Sequence, residues 1–144
     1  MALVFTSSII DAPVPAVWAI IRDFNALPAW HPLITESRIE HRKQADQVGC
    51  VRNFRAKDLG QIREQLLSLS DYDFSFSYAI LESPMPLTDY VATVRLHPVT
   101  DGNRTFGEWS ARFECAPDEE ATLVSNIGRD VFQAGFDSLK SRFR

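Results

Sequence analysis

The chain is poor in cysteine: Cys50 and Cys115 are its only two in 144 residues. Two cysteines cannot build a disulfide framework, and their spacing fits no metal-ligand motif. The three histidines are scattered and form no metal triad, so neither metal nor cofactor is expected. Basic charge is in deficit. Fifteen Lys and Arg against nineteen Asp and Glu leave a net charge of −4 and a pI near 5.3. That balance lacks the electrostatic footprint of a nucleic-acid or anionic-membrane partner. No apolar run approaches the ~20 residues that span a bilayer, so membrane insertion is not expected. Met1–Ile10 lacks a basic segment followed by a long apolar one and does not read as a signal peptide. A cytoplasmic location is the expectation, as monomer or homodimer. There is also no Gly-rich phosphate loop and no nucleophile elbow. Ser7-Ser8 and Ser68-Ser70 have no histidine or acid at a motif spacing, so a serine nucleophile has no support.

What remains is the composition of one globular domain over residues 1–144. Hydrophobic residues make up 45% and charged residues 24%, ordinary values for a chain able to bury its own core. Leu3 to Ile10 is apolar and β-branched and stops at Asp11-Ala12-Pro13, which reads as a first strand. The period then changes. Val14, Val17, Trp18 and Ile21 share one face of a helix with Pro13 or Pro15 in its first turn. Phe24, Leu27 and Trp30 follow, cut by Pro28 and Pro32 into one or two turns.

From Ile34 to Cys115 the pattern is β. Turns are signalled at Val48-Gly49, Asp58-Leu59-Gly60, Ser70-Asp71, Ser83-Pro84-Met85-Pro86 and Asp101-Gly102-Asn103. Phe74, Phe76, Tyr78 and Ile80 alternate with small or polar residues. So do Tyr90, Ala92, Val94 and Leu96, and then Gly107, Trp109, Ala111, Phe113 and Cys115. Six consecutive strands on short turns imply an antiparallel meander with one covered face. After Asp118, a candidate cap, Val124, Ile127, Gly128, Val131, Gly135 and Leu139 form a single stripe on one long helix. The expected fold is therefore α+β, in the order β-α-α-β6-α: a seven-stranded curved antiparallel sheet around a long C-terminal helix. Gly128 and Gly135 on that helix, facing Ala92, Gly107 and Ala111, admit two readings. Either helix and sheet pack closely there, or volume is left for a ligand.

This order, with Asp23-Phe24 and Trp30-His31-Pro32 after the first helix, resembles the START-like polyketide cyclase/dehydrase superfamily. Val48-Gly49-Cys50-Val51-Arg52, Arg63-Glu64-Gln65-Leu66, the Tyr78 and Tyr90 strands and Glu108-Trp109 carry the same resemblance. The superfamily includes the birch-pollen-allergen type and the plant abscisic-acid receptors. It implies a helix-grip fold with an internal hydrophobic cavity, entered between the β3–β4 loop, the β5–β6 loop and the long helix. Arg52 and Glu64 match cavity-lining polar positions of the receptor branch, and Tyr78 and Tyr90 match aromatic ones. The receptor lysine that holds the hormone's carboxylate falls near Thr35. Lys57-Asp58-Leu59-Gly60-Gln61 and Ser83-Pro84-Met85-Pro86 replace the receptor gate and latch, so hormone sensing is not expected. The resemblance is closer to bacterial cyclase-like proteins.

The candidate ligand-binding residues are Trp30, Arg52, Phe54, Glu64, Tyr78, Tyr90, Trp109, Ile127, Val131 and Gly135. Glu64 is ambiguous by alternation, since Ile62 and Leu66 share its face while Leu67 and Leu69 hold the other. The resemblance turns it inward. There it is either a structural ion-pair partner of Arg52 or a carboxyl with a raised pKa able to act as acid or base. His31 is either a proton shuttle at the cavity mouth or a surface-loop histidine. Two functions remain open. One is binding of a small hydrophobic or aromatic, lipid- or polyketide-like molecule, for carriage, sequestration or sensing. The other is a cofactor-independent cyclase or dehydratase with Glu64 and His31 as catalytic groups.

Overall fold

β1 (Ala2–Ile10) leads into α1 (Val14–Ile21) and the single turn α2 (Leu27–Trp30). Six strands follow: β2 (Ile34–Ile39), β3 (Val51–Ala56), β4 (Gly60–Ser70), β5 (Ser75–Glu82), β6 (Thr88–Val99) and β7 (Arg104–Glu114). The computed structural model describes all residues, 1–144. The strands form one antiparallel sheet in the order β1-β7-β6-β5-β4-β3-β2, which is the expected meander with β1 returning beside β7. The C-terminal helix packs over its inner face, giving the helix-grip architecture.

The sequence pattern explains most of this. Val14, Val17, Trp18 and Ile21 are all buried, and Pro15 occupies the first turn of α1, where no N–H is needed. Tyr90, Ala92, Val94 and Leu96 are buried on β6, as are Gly107, Trp109, Ala111 and Phe113 on β7. Cys50, just before β3, and Cys115, just after β7, are both free thiols, with β4, β5 and β6 between their strands.

The C-terminal helix departs from the expected regular stripe. It runs as α3 (Glu120–Asn126), a π-helical segment (Ile127–Gln133) and α4 (Ala134–Arg142). Its cap position is Glu119 rather than Asp118, and no side chain caps it. In the π segment the Ala134 N–H reaches back to the Arg129 carbonyl, a five-residue step. The wider turn resets the buried face. Leu123 and Ile127 are buried, then Phe132, Phe136 and Leu139, while Val124, Gly128 and Val131 are only half-buried. Phe132 and Phe136 therefore enter the core, where a 3.6-residue period had not placed them.

The glycines resolve in favour of close packing. A Cβ on Gly135 would lie 2.9 Å from Trp109 Cζ3 and 3.1 Å from ring atoms of both His31 and Trp30. One on Gly107 would come within 2.7 Å of the Phe136 ring. These rings are wedged in the core and have nowhere to go. At Gly128 the nearest atom, Val4 Cγ1, is at an ordinary 3.5 Å. Gly135→Ala is therefore expected to destabilise the protein by about 1–3 kcal/mol through overpacking. Gly128→Ala should be neutral or stabilise by up to about 1 kcal/mol. Urea unfolding of the two variants tests this, and the reverse ranking would contradict the packing described.

Candidate functional site

Between the sheet and the C-terminal helix lies a small cavity of about 50 Å³, with 14 of its 17 lining residues hydrophobic. The other three are His31, Arg52 and Glu64. Arg52 and Glu64 are direct cross-strand partners in the β3–β4 register. Both are buried, with side chains 4% and 8% exposed. Arg52 Nε donates to Glu64 Oε1 at 2.9 Å, and Nη2 lies 2.7 Å from the same oxygen. Nη1 donates to the Phe24 carbonyl at 3.2 Å. The guanidinium carbon sits 3.9 Å from the Phe24 ring centroid and 4.8 Å from that of Tyr78, within cation–π range.

Burial pushes the Glu64 carboxyl up, and the charge and hydrogen bonding of Arg52 pull against that push. A guanidinium keeps its proton at any working pH. A neutral Glu64 would leave it as an uncompensated buried charge, so the two groups are held as an ion pair. Arg63, next in the chain to Glu64, points the other way. It bonds Glu40 and Glu82 on the outer face and pulls Glu40 down to about 2.

The hydroxyls of Tyr78 and Tyr90 join the same wall. Burial raises both phenols well above their ordinary value, and the Glu64 charge adds to the rise. They stay protonated and neutral. Trp109 Nε1 donates to the Tyr78 oxygen at 3.0 Å. Trp109 itself stacks on Phe132, with centroids 4.5 Å apart and planes 16° apart.

His31 is neither at the surface nor free to shuttle protons. It is 2% exposed. Its Nε2 donates to the Val131 carbonyl at 2.7 Å, and its Nδ1 accepts from the Leu33 N–H at 3.1 Å. These two bonds define the neutral Nε2–H tautomer, and burial lowers the pKa in the same direction. Ser138 Oγ to the Trp30 carbonyl and Arg142 Nη1 to the Ala29 carbonyl, the latter at 3.1 Å, complete the tie between α2 and the C-terminal helix.

Of the sequence-predicted residues, Arg52, Phe54, Glu64, Tyr78, Tyr90, Trp109, Ile127 and Val131 line the cavity, and so does His31. Trp30 and Gly135 do not. They press on each other behind Trp109, and Gly135 opens no space there. Sequence reasoning missed Leu59 and Met85, whose loops close the cavity, and Leu27, Leu33 and Ile34 beside them. The turn signals at Asp58-Leu59-Gly60 and Ser83–Pro86 marked those loops but not which side chains turn inward.

Outside this closure lies a groove of about 360 Å³. Leu33, Leu59, Met85, Ile127 and Val131 line both the groove and the cavity, so they form the partition between them. The outer face of the sheet carries a separate open hollow of about 550 Å³, with Leu3, Phe5, Leu67 and Val91 along it.

The ion pair makes a sharp stability prediction. Glu64→Gln should cost about 3–5 kcal/mol, because it leaves the Arg52 charge buried without a counter-ion. Arg52→Met/Glu64→Leu, which removes both charges, should recover most of that loss. The measurement is denaturant unfolding of wild type and both variants. A Glu64→Gln loss under about 1 kcal/mol would contradict the pairing.

Known proteins place the fold and its family. Among solved structures, a Thermobifida fusca protein superposes with TM-score 0.90 at 28% identity, over 99% of this chain and 93% of that one. The XoxI protein of Bacillus cereus gives 0.86 at 28% identity, over 99% and 96%. Norcoclaurine synthase from Thalictrum flavum, in complex with dopamine and hydroxybenzaldehyde, shares the fold at TM-score 0.77 and 13% identity, over 97% and 84%. No curated protein matches the sequence. The family of polyketide cyclase/dehydrase and lipid-transport proteins matches residues 1–144. The chain, matched from end to end, belongs to that family.

Proposed function

We propose that the protein binds a small apolar or aromatic molecule in the cavity between sheet and C-terminal helix, for carriage, sequestration or sensing. The observation that carries this reading is the composition of the cavity wall: apolar and aromatic throughout, except for one ion pair and one fully bonded histidine. Family membership supports the same reading.

Size constrains how binding works. A cavity of about 50 Å³ holds one or two water molecules, while ligand pockets run to about 300–1,000 Å³. The ligand must therefore part the shared wall of Leu59, Met85 and Val131 and join the cavity to the 360 Å³ groove outside. Leu59 and Met85 lie in connecting loops rather than in strands. Such segments open at lower cost than the strands they join.

The alternative, proton-transfer catalysis of a cyclisation or dehydration, asks more of these groups. His31 would have to break a structural hydrogen bond to exchange a proton, and Glu64 would have to take one up and so leave the buried Arg52 charge unbalanced. Binding requires neither.

The test uses a neutral apolar fluorophore, N-phenyl-1-naphthylamine. Saturable binding with a blue-shifted emission is expected for the wild type. Val131→Trp, which fills the partition, should weaken it at least about tenfold, provided circular dichroism shows an unchanged fold. Absence of binding, or binding untouched by Val131→Trp, would overturn the proposal.

A further inference from the structure

One oxygen at the cavity floor has no partner within the chain. Both close contacts from Arg52 go to Glu64 Oε1, and no donor bonds Oε2. The protein seals no side-chain polar atom away without a partner. Oε2 of this 6%-exposed residue therefore meets the cavity space that Glu64 lines. It is a charged acceptor, set in an apolar wall, waiting for a donor.

The remaining charges define what that donor belongs to. Arg52 is the only cation on the cavity wall, and each of its three nitrogens already reaches Glu64 or Phe24. The neutral His31 offers no positive charge. A carboxylate brought inside would face Glu64 and would have to pull Arg52 away from it. An ammonium would meet Glu64 but lie beside a guanidinium, and a floor of zero net charge would not offset its desolvation. An uncharged hydroxyl avoids both costs. It gains a hydrogen bond to an ionised acceptor, stronger than one between neutral groups. Such a group would stand in for a water as the donor to Oε2.

We infer that the ligand is an apolar molecule whose leading end is an uncharged hydroxyl, a phenol or alcohol, that donates to Glu64 Oε2. This rests on the reading of the cavity as the ligand site and adds the chemistry of its inner end. Tyr78 and Tyr90, both neutral, line the same wall and add no charge to it.

A matched series tests it: 4-propylphenol, 4-propylbenzoate and propylbenzene, each competing with N-phenyl-1-naphthylamine on the wild-type protein at pH 7. The phenol is expected to displace the fluorophore at least about tenfold more effectively than either of the others. In Arg52→Met/Glu64→Leu its advantage over propylbenzene should fall to about threefold or less. If the benzoate competes as well as the phenol, or the phenol's advantage survives loss of Glu64, the inference fails. Displacement by propylbenzene would then leave the cavity itself intact as an apolar site. If none of the three competes, the cavity reading and this inference fall together. Should the double variant not fold, the wild-type ranking alone decides.

Discussion

A guanidinium that cannot give up its proton lies in the middle of this protein, and its surroundings are arranged to tolerate it. Arg52 faces Glu64 across the β3–β4 register, stacks on Phe24 and Tyr78, and bonds the Phe24 carbonyl. Those contacts join the sheet to the segment between the first two helices. Buried ion pairs of this kind rarely add net stability over apolar residues of the same volume. Stability alone does not explain a pair at this position. The proposed binding function gives it a role, because the pair places one charged acceptor in an otherwise apolar wall.

Close packing on the other side of that space fixes its limits. Gly135 lets the C-terminal helix press against Trp109, Trp30 and His31, and Gly107 admits the Phe136 ring. The π segment then brings Ile127 and Val131 to the cavity while turning Phe132 into the core against Trp109. Its carbonyl at Val131 holds His31. The helix is thus anchored hard at its C-terminal half, by His31, Ser138 and Arg142, and borders the partition with Ile127 and Val131. In the proposed function, the opening comes chiefly from the loops that carry Leu59 and Met85.

The sheet was legible in the sequence because alternation on β5, β6 and β7 is clean and the turns are strongly signalled. Glu64 was not, for a local reason. Ile62, Glu64 and Leu66 alternate inward, but the β4–β5 register shifts between Leu66 and Ser68, which leaves Leu67 exposed and sets Leu69 out of phase with Glu64. The helix stripe slipped at the π segment, since a five-residue step has no signature in composition. His31 was opaque because the sequence around it fits a cavity mouth or a surface loop equally. Its fate depends on a carbonyl 100 residues away. Gly135 showed that something small was required there, but a glycine serves a void and a tight contact equally. Only the positions of Trp109 and Trp30 separate the two.

Besides the cavity and the groove beside it, the open hollow on the outer face of the sheet offers apolar ligands another place to go. The outer hollow is larger, but it is more open to water and offers no buried charged group to fix an orientation. The location of the bound ligand is therefore decisive. Chemical-shift mapping by ¹H–¹⁵N correlation spectra, during titration with 4-propylphenol, reads it directly. The account predicts shifts concentrated at Leu59, Glu64, Tyr78, Met85, Tyr90 and Val131. Shifts confined to Leu3, Phe5, Leu67 and Val91, with the cavity residues unmoved, would contradict it.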